Sequence, residues 1–526
     1  MSEPLLSVRN LSVAFNGSSA TTKAVNDISF DVGAGEIVGI VGESGSGKSV
    51  SCRSILGLLP NTASVSGEIE FKTEKLLELD ADALREIRGR DISMVFQNPA
   101  SHLDPLMKIG LQVSEPLIHH QNVTAEDARL AAIETLREVQ LDRPEQRADN
   151  YPHQLSGGMK QRVMIASAVT CEPGLLIADE PTTALDVTVQ AHILSLLKNL
   201  NEQHNLSIIL ISHDLAVIAS ICDRVIVMRQ GEIVEQGTTE QIIRSPQHPY
   251  TQQLIDSQPG RMDLKNEPLE SDDVLLEAVD IDVEFDLPGG RKLKALDQVS
   301  LRLRRGESLG IVGESGSGKS TLARVIMGLV SAKSGDVRLN GEPLLHKGRT
   351  SPATVCRKMQ MVFQNPYDSL NPRFTVQQSI AEPLRRHKLV APDEIDGRVT
   401  ELMELVELEP AMKDRRPSQL SGGQCQRVGI ARALAMNPEI LIADEITSAL
   451  DVTIQAQVID LLKRLREQRG LSVIFISHDL ALVRSFCDEV LVFRSGKIVE
   501  GGSVKTVLEQ PREDYTRTLI ESAPVL

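Results

Sequence analysis

The sequence predicts an α/β chain of two tandem domains, each a core of parallel strands with an antiparallel β subdomain and a helical insertion. Three observations carry that reading. The stretch GIVGESGSGKS at residues 39–49 recurs letter for letter at residues 310–320. An apolar run ending in Asp-Glu occurs at residues 175–180 and again at 440–445. Another, ending in Ser-His-Asp, occurs at 206–214 and at 471–479. From Lys48 to His213 the chain runs 165 residues, and from Lys319 to His478 it runs 159, so the recurring elements keep their order and spacing. At 526 residues the chain is too long for one core. The duplication divides it into domains at 1–257 and 274–526. Between them, residues 258–273 carry Pro259-Gly260, Pro268 and several charges without hydrophobic periodicity, which is the pattern of a linker.

Each domain opens on two alternating runs (Leu5 to Val8, then Ile28 to Val32 in the first) separated by a Gly/Ser/Thr tract, the signature of an antiparallel strand pair. Phe15 ends the first run, and Phe285 holds the matching place in the second half. An aromatic just upstream of a phosphate loop can stack on an adenine ring; period-2 patterning equally provides an ordinary core phenylalanine.

A short apolar run (Glu36 to Val41; Glu307 to Val312) then gives way to glycine and serine, and next to helical patterns at Ser51 to Leu59 and Thr321 to Leu329. Glycines let such a loop wrap so that successive backbone N–H groups point inward, and the following helix adds its positive end. The expected cradle takes in Gly42, Glu43, Ser44, Gly45, Ser46, Gly47, Lys48 and Ser49. Its copy takes in Gly313, Glu314, Ser315, Gly316, Ser317, Gly318, Lys319, Ser320 and Thr321. Lys48 and Lys319 would reach the outer phosphates of a nucleotide, and the hydroxyls of Ser49 and Ser320 would ligate Mg²⁺.

Gln97 and Gln364 end the next strands and are each followed by Asn-Pro. At the edge of a doubly wound sheet such an amide can complete a Mg²⁺ shell or orient water, or it can simply cap the strand. A stretch without β pattern follows. Thr124 to Asp127 reads as a helix start, with Leu130, Ile133, Leu136 and Val139 at helical spacing; Ile395, Val399, Leu402 and Leu405 are the counterpart. These are the helical insertions. His119, His120 and His387 lie in them without a second ligand at i+4 and are expected to face solvent.

Ser156-Gly157-Gly158 and Ser421-Gly422-Gly423 each precede an amphipathic helix, expected at Gln161 to Val169 and Gln426 to Ala435. A Ser-Gly-Gly turn at a helix N-terminus is a second anion site by the same dipole argument, and alone it is also a plain N-cap. The Asp-Glu pairs then place acidic oxygens at the carboxyl end of a buried strand. Asp179 and Asp444 can hold Mg²⁺ directly or through water, and Glu180 and Glu445 can act as general base on an attacking water. Helices are expected at Val187 to Leu200 and Val452 to Leu465. His213 and His478 close each sheet at a strand end, where a histidine can hydrogen-bond a γ-phosphate.

Composition narrows the function classes. The formal net charge is −16, Trp is absent and aromatics make up 3 %, which leaves little basic or stacking surface, so no nucleic-acid partner is expected. The six cysteines show no CxxC or CxH spacing, so neither a zinc site nor a disulfide framework is indicated. The first residues lack the regions of a signal peptide, and no apolar run has membrane-spanning length. A cytoplasmic protein, or one held at a membrane by partners, is expected.

Taken together, the phosphate loops, Gln97 and Gln364, the Leu-Ser-Gly-Gly turns, the Asp-Glu pairs and His213 with His478 resemble the Walker A, Q-loop, signature, Walker B and H-loop motifs of ATP-binding cassette ATPases, over nearly the whole chain and twice. The resemblance implies two cassettes, each with a P-loop NTPase core, that close head to tail around two ATP molecules with Mg²⁺. It also implies composite sites, in which Lys48, Gln97, Asp179, Glu180 and His213 face Ser421 to Gly423 and their counterparts face Ser156 to Gly158.

Met94-Val-Phe-Gln-Asn-Pro99, Ser369-Leu-Asn-Pro372, His248-Pro-Tyr-Thr251 and Asp514-Tyr-Thr516 are similar to the importer branch for peptides, opines, nickel or glutathione. That resemblance implies two transmembrane permease subunits, a solute-binding protein acting indirectly, and a peripheral place on the cytoplasmic face of the inner membrane. The sequence departs from the pattern at Met159, where Gln is usual, at Ile446 opposite Pro181, and at Leu103-Asp104-Pro105. Some relatives carry an iron–sulfur cluster after the Pro-Tyr-Thr stretch; with no cysteine between Cys222 and Cys356, none is expected here. The competing reading is a soluble tandem-cassette ATPase acting on ribosomes or nucleic acid. The short linker and acidic balance weigh against it.

Overall fold

A computed structural model describes residues 3–16, 21–121, 123–183, 185–258, 273–287, 290–346, 349–350, 352–448, 450–524 and 526. The expected linker lies outside the described residues apart from its two ends. The chain folds as two compact units, the first drawn mainly from residues 1–258 and the second mainly from 259–523.

The first unit runs β1 (Leu6–Asn16), β2 (Thr21–Val32), β3 (Ile37–Val41), α1 (Lys48–Ile55), β4 (Ala63–Phe71), β5 (Glu74–Lys75), α2 (Ala81–Ile87) and β6 (Ile92–Val95). Helices α3 (Pro99–His102), α4 (Ile109–Gln121), α5 (Ala125–Glu138), α6 (Pro144–Arg147) and α7 (Gly157–Val169) follow. Then come β7 (Leu175–Asp179), α8 (Val187–His204), β8 (Ser207–Ser212), α9 (Leu215–Ile221), β9 (Arg224–Arg229), β10 (Glu232–Thr238), α10 (Thr239–Arg244) and α11 (Pro249–Asp256). One sheet is antiparallel, in the order β2-β1-β4-β5; the other has the order β10-β9-β3-β8-β7-β6 and is parallel except for β10.

Strands β3, β7 and β8 are buried along their whole length, which is why they read as unbroken apolar runs. The pleat sends Leu175 and Ile177 into a core shared with β1, β2, β4 and α1. It sends Leu176 and Ala178 into a second core shared with α4, α5, α7 and α8. Each fully buried Leu or Ile side chain contributes about 1.5–3 kcal/mol. Together the two cores hold the carboxyl ends of β3, β7 and β8 at fixed separations.

The second unit repeats the plan: β11 (Val274–Leu287), β12 (Arg291–Arg304), β13 (Ser308–Val312), α12 (Lys319–Ile326), β14 (Ser334–Leu339), β15 (Glu342–Pro343), β16 (Leu345–His346), β17 (Arg349–Thr350), α13 (Pro352–Lys358) and β18 (Met359–Val362). After these come α14 (Val376–Arg386), α15 (Ile395–Leu405), α16 (Gly422–Leu434), β19 (Ile440–Asp444), α17 (Val452–Arg469), β20 (Ser472–Ile476) and α18 (Leu480–Phe486). Finally β21 (Glu489–Arg494), β22 (Lys497–Ser503), α19 (Val504–Glu509) and α20 (Asp514–Ser522) close it. Its sheets are ordered β12-β11-β14-β15 and β18-β19-β20-β13-β21-β22, and β16 pairs with β17 as a separate two-stranded sheet.

Several boundaries differ from expectation for identifiable reasons. Helices α1 and α12 begin at Lys48 and Lys319, not three and two residues later, because Gly47 and Gly318 take the left-handed N-cap conformation at φ 100° and 112°. Helices α7 and α16 begin at Gly157 and Gly422, because Ser156 and Ser421 are themselves the N-caps. Leu130, placed on the inner face of α5 by its spacing, is 60 % exposed. The face turned to α4 and α7 carries Ala128, Ala132, Thr135 and Leu136, and the two alanines allow close helix approach and rotate the apolar stripe. His119 is exposed, while His120 and His387 are half-buried.

The halves also differ in how α8 and α17 are tied to the core. Arg466 of α17 is buried, donates to Asp488 at 2.5 Å and reaches the Ser308 hydroxyl and the Gly306 carbonyl, each at 2.7 Å. At the matching position Asn201 bridges the Gly35 and Leu206 carbonyls instead. Removing one partner of a buried ion pair leaves an uncompensated charge. Arg466→Leu is therefore expected to lower the stability of the second unit by about 3–5 kcal/mol. In a thermal or urea scan its transition should move while that of the first unit stays in place.

Candidate functional site

In the first unit the loop between β3 and α1 folds around its own lysine. The Lys48 ammonium donates to the Gly42 and Glu43 carbonyls at 2.7 and 2.8 Å, and Lys319 does the same to Gly313 and Glu314 at the same distances. Glycine is required where the loop passes the sheet: a Cβ on Gly42 would lie 2.2 Å from the Met228 carbonyl oxygen, and one on Gly313 2.2 Å from that of Phe493. Neither α1 nor α12 has a side-chain cap. Among the described residues the buried Ser317 hydroxyl has no hydrogen-bond partner. A lysine, an uncapped helix start and an orphaned hydroxyl around a glycine cradle fit the phosphates of a nucleotide.

The last residue of each Walker-type strand meets the first turn of the loop helix. The Ser49 hydroxyl donates to Asp179 at 2.7 Å, and the Ser320 hydroxyl to Asp444 at 2.8 Å. Burial raises both aspartates, an effect the serine hydrogen bonds oppose. Arg53 also approaches Asp179, at 3.4 Å. Paired hydroxyl and carboxylate oxygens are hard donors of the kind Mg²⁺ takes, so the donor set fits that ion. Among the described residues no group of three or more His, Cys, Asp or Glu is placed to hold a metal by itself.

The next residues, Glu180 and Glu445, adopt the left-handed conformation at φ 48° and 49°. Such a position costs about 1–3 kcal/mol for a non-glycine residue and persists where its surroundings over-determine it. The surroundings are the backbone bonds of Glu180 to the Ile211 carbonyl at 3.1 Å and of Glu445 to the Ile476 carbonyl at 3.0 Å. They include the glutamines as well, for Gln97 donates to Glu180 at 2.8 Å and Gln364 to Glu445 at 2.7 Å. These amides therefore meet the second carboxylate of each pair rather than the first.

His213 lies 3.4 Å from Glu180, and His478 3.9 Å from Glu445. Burial works against the charge on Glu180. The hydrogen bond and charge of His213, the Thr183 hydroxyl at 2.9 Å and the Lys48 ammonium outweigh it and bring the carboxyl down to about 2. The second half lacks the Thr183 contact, since Ser448 there donates to the Glu445 carbonyl at 2.9 Å. Burial lowers the Lys319 ammonium against the pull of Glu445, 4.0 Å away.

Each unit thus gathers its loop, the Asp-Glu pair, the glutamine and the histidine. The signature turns stand on a separate element and are held by their own caps. Ser421 accepts from the Gln424 N–H at 3.3 Å while Gln424 accepts from the Ser421 N–H at 3.0 Å. Ser156 accepts from the Met159 N–H at 3.3 Å, and methionine supplies no return bond. Phe15 is half-buried and packs against the core beneath its strand pair, and Phe285 is 39 % exposed, each near the tip of its strand pair.

Two groups in these sites escaped the reading of residues in sequence. Thr183 is an unremarkable threonine until the turn after β7 brings it back to Glu180. Tyr250 and Tyr515, noted only as part of a family mark, place their hydroxyls on the phosphate loops, accepting from the Glu43 N–H at 3.0 Å and the Glu314 N–H at 3.2 Å.

The ABC transporter family model matches residues 25–183 and 296–448, and the model for the oligopeptide/dipeptide transporter C-terminal region matches 234–273 and 499–526. The chain is similar to the peptidoglycan transport ATP-binding protein YejF of Agrobacterium fabrum (strain C58 / ATCC 33970), at 46 % identity over 99 % of this chain and 96 % of that one. It is also similar to the glutathione import ATP-binding protein GsiA of Escherichia coli (strain K12), at 41 % identity over 99 % of this chain and 90 % of that one. Among solved structures, cbiO1 from Clostridium perfringens, part of the ABC transporter complex cbiONQ, is 29 % identical over 45 % of this chain and 92 % of its own, with a TM-score of 0.41. With the family model matched in both halves and relatives aligned end to end, this chain belongs to the ABC transporter family and is an ATPase of two tandem cassettes.

Proposed function

We propose that this chain is the energy-coupling subunit of an importer for peptides or related small solutes. In this reading it works with two membrane permease subunits and, indirectly, a solute-binding protein, from the cytoplasmic face of the inner membrane. One observation carries the proposal: the oligopeptide/dipeptide transporter C-terminal region is matched in both halves. The names of the relatives, for peptidoglycan transport and glutathione import, point the same way. Among the described residues no helix is long and apolar enough to cross a membrane, as a peripheral subunit requires.

In this reading the loops Gly42 to Ser49 and Gly313 to Thr321 hold the phosphates, and Phe15 and Phe285 stack on adenine. The turns Ser156 to Gly158 and Ser421 to Gly423 add a second set of phosphate donors. Ser49, Gln97 and Asp179, with Ser320, Gln364 and Asp444, would hold Mg²⁺, which when bound offsets charge on the phosphate oxygens. Glu180 and Glu445 take the proton of the attacking water, and His213 and His478 donate to the γ-phosphate oxygens.

Purifying the tagged chain from detergent-solubilised membranes of its host tests the proposal. Two polytopic membrane proteins are expected to come with it. Recovery of ribosomal proteins in their place would favour the soluble tandem-cassette reading.

The half-made cap at Ser156 gives a second test. Met159→Gln supplies the missing arm of the capping box, expected to stabilise the start of α7 by about 0.5–1 kcal/mol. ATP turnover should rise up to about threefold if the turn must be ordered to act on phosphate. An unchanged rate beside a raised melting temperature would leave Ser156 a structural cap only.

A further inference from the structure

Tyr250 stands at the far end of the first half, on α11, more than two hundred residues from the loop it touches. It is 2 % exposed, its ring lies under the Arg229 guanidinium at 4.8 Å, and its hydroxyl accepts the Glu43 N–H. The second half builds the same contact. Tyr515 is 9 % exposed, Arg494 lies 4.7 Å over its ring, and its hydroxyl accepts the Glu314 N–H. His248-Pro249 precedes the first tyrosine, whereas Glu513-Asp514 precedes the second.

The turns that deliver the tyrosines are anchored alike. Glu235 on β10 accepts the Gln247 and His248 N–H groups at 2.7 and 3.1 Å. Glu500 on β22 accepts those of Arg512 and Glu513 at 2.9 and 3.2 Å. Between the halves, the tyrosine, the threonine after it, the arginine on its ring and the anchoring glutamate are kept, while the residues linking them change.

The peptide unit each hydroxyl grips also holds the loop lysine. The Gly42 carbonyl, in the same peptide unit as the Glu43 N–H, accepts the Lys48 ammonium at 2.7 Å. The Gly313 carbonyl, in the same peptide unit as the Glu314 N–H, accepts Lys319 at 2.7 Å. One face of the peptide is therefore fixed by the tyrosine, and the other sets where the phosphate-binding lysine sits. The wall behind it is β9 or β21, whose Met228 or Phe493 carbonyl leaves no room for a side chain at Gly42 or Gly313. Arg229 and Arg494 are the next residues along those strands.

We propose that Tyr250 and Tyr515 are positioning residues of the two phosphate loops, through which the C-terminal region of each half sets the affinity of its cassette for nucleotide. The inference rests on the nucleotide-binding reading of the loops and assigns a role to a region otherwise defined only by its match to transporter sequences. The tyrosines touch neither phosphate nor water in this role; they hold the loop entrance so that Lys48 and Lys319 are preset.

The test is the full chain carrying Tyr250→Phe and Tyr515→Phe, which keeps both rings and both arginine contacts and removes only the hydroxyls. Losing an acceptor for a half-buried N–H is expected to weaken binding of the fluorescent analogue MANT-ADP about tenfold and raise KM for ATP similarly. The turnover number should change less than about twofold, because the Asp-Glu pairs and histidines are untouched. Hydrogen exchange of peptides spanning residues 39–47 and 310–318 should quicken in the variant, while that of the core strands holds. A variant that folds, binds MANT-ADP and hydrolyses ATP with wild-type constants would overturn the proposal and leave the tyrosines as packing. Independently of any variant, full exchange of the two loop segments within seconds in the nucleotide-free wild type would also overturn it. A wild-type chain with no affinity for MANT-ADP would instead defeat the underlying reading of the loops.

Discussion

ATP turnover by the full chain is expected to fall about 10²–10⁴-fold when Glu180 and Glu445 are both replaced by glutamine, with nucleotide affinity kept within about threefold. The size follows from the proposed role as general base: an amide of the same shape cannot take a proton from water. Binding survives because the lysines, the loop amides and the Ser-Asp pairs are separate groups. Folding should survive as well, since glutamine can still accept from Gln97 and Gln364 and keeps the backbone bonds to Ile211 and Ile476. Each single variant is expected to retain part of the rate. The remainders should differ, because Glu180 receives Thr183 and a closer His213 whereas Glu445 receives neither. Phosphate release at saturating ATP measures this. An untouched rate in Glu180→Gln beside a dead Glu445→Gln would show that one site alone hydrolyses.

Nucleotide binding, by contrast, is expected to collapse in Lys48→Ala and Lys319→Ala. Each ammonium is buried among loop carbonyls and aimed along the cradle. A charged donor to phosphate is worth about 1.5–3 kcal/mol, or about 10- to 150-fold in Kd at its own site. Titration with MANT-ATP should show two classes of site in each single variant and weak binding throughout in the double. Equal, wild-type affinity in both classes would remove the lysines from the binding machinery. Melting temperature is a useful control, because each substitution also removes the lysine from two loop carbonyls, and the Glu43 and Glu314 carbonyls keep the Ser46 and Ser317 N–H groups.

The sequence was most legible where chemistry is local. A glycine-rich turn between an apolar run and a helix specifies its own backbone, so residues 42–49 and 313–320 cradle Lys48 and Lys319 as their order implies. Buried parallel strands need apolar residues on both faces, so the runs before Asp179 and Asp444 were recognisable as strands. Exact duplication then separated these motifs from chance, fixing two domains of one plan without any coordinates. What pattern alone misplaced lay where packing overrides periodicity, as on α5, where small residues rather than Leu130 face α4 and α7.

Which groups meet across the fold was decided only by tertiary structure. No spacing rule joins Gln97 to Glu180, Thr183 to the same carboxylate, or Tyr250 to the Glu43 peptide. The order β10-β9-β3-β8-β7-β6 brings the ends of distant strands side by side, and hydrogen bonding depends on that neighbourhood, not on distance along the chain. Residue identity determined which donors, acceptors and charges each half has to offer. The packing of two cores around each sheet determined which side chain holds which other, because a donor and an acceptor interact only within about 3 Å.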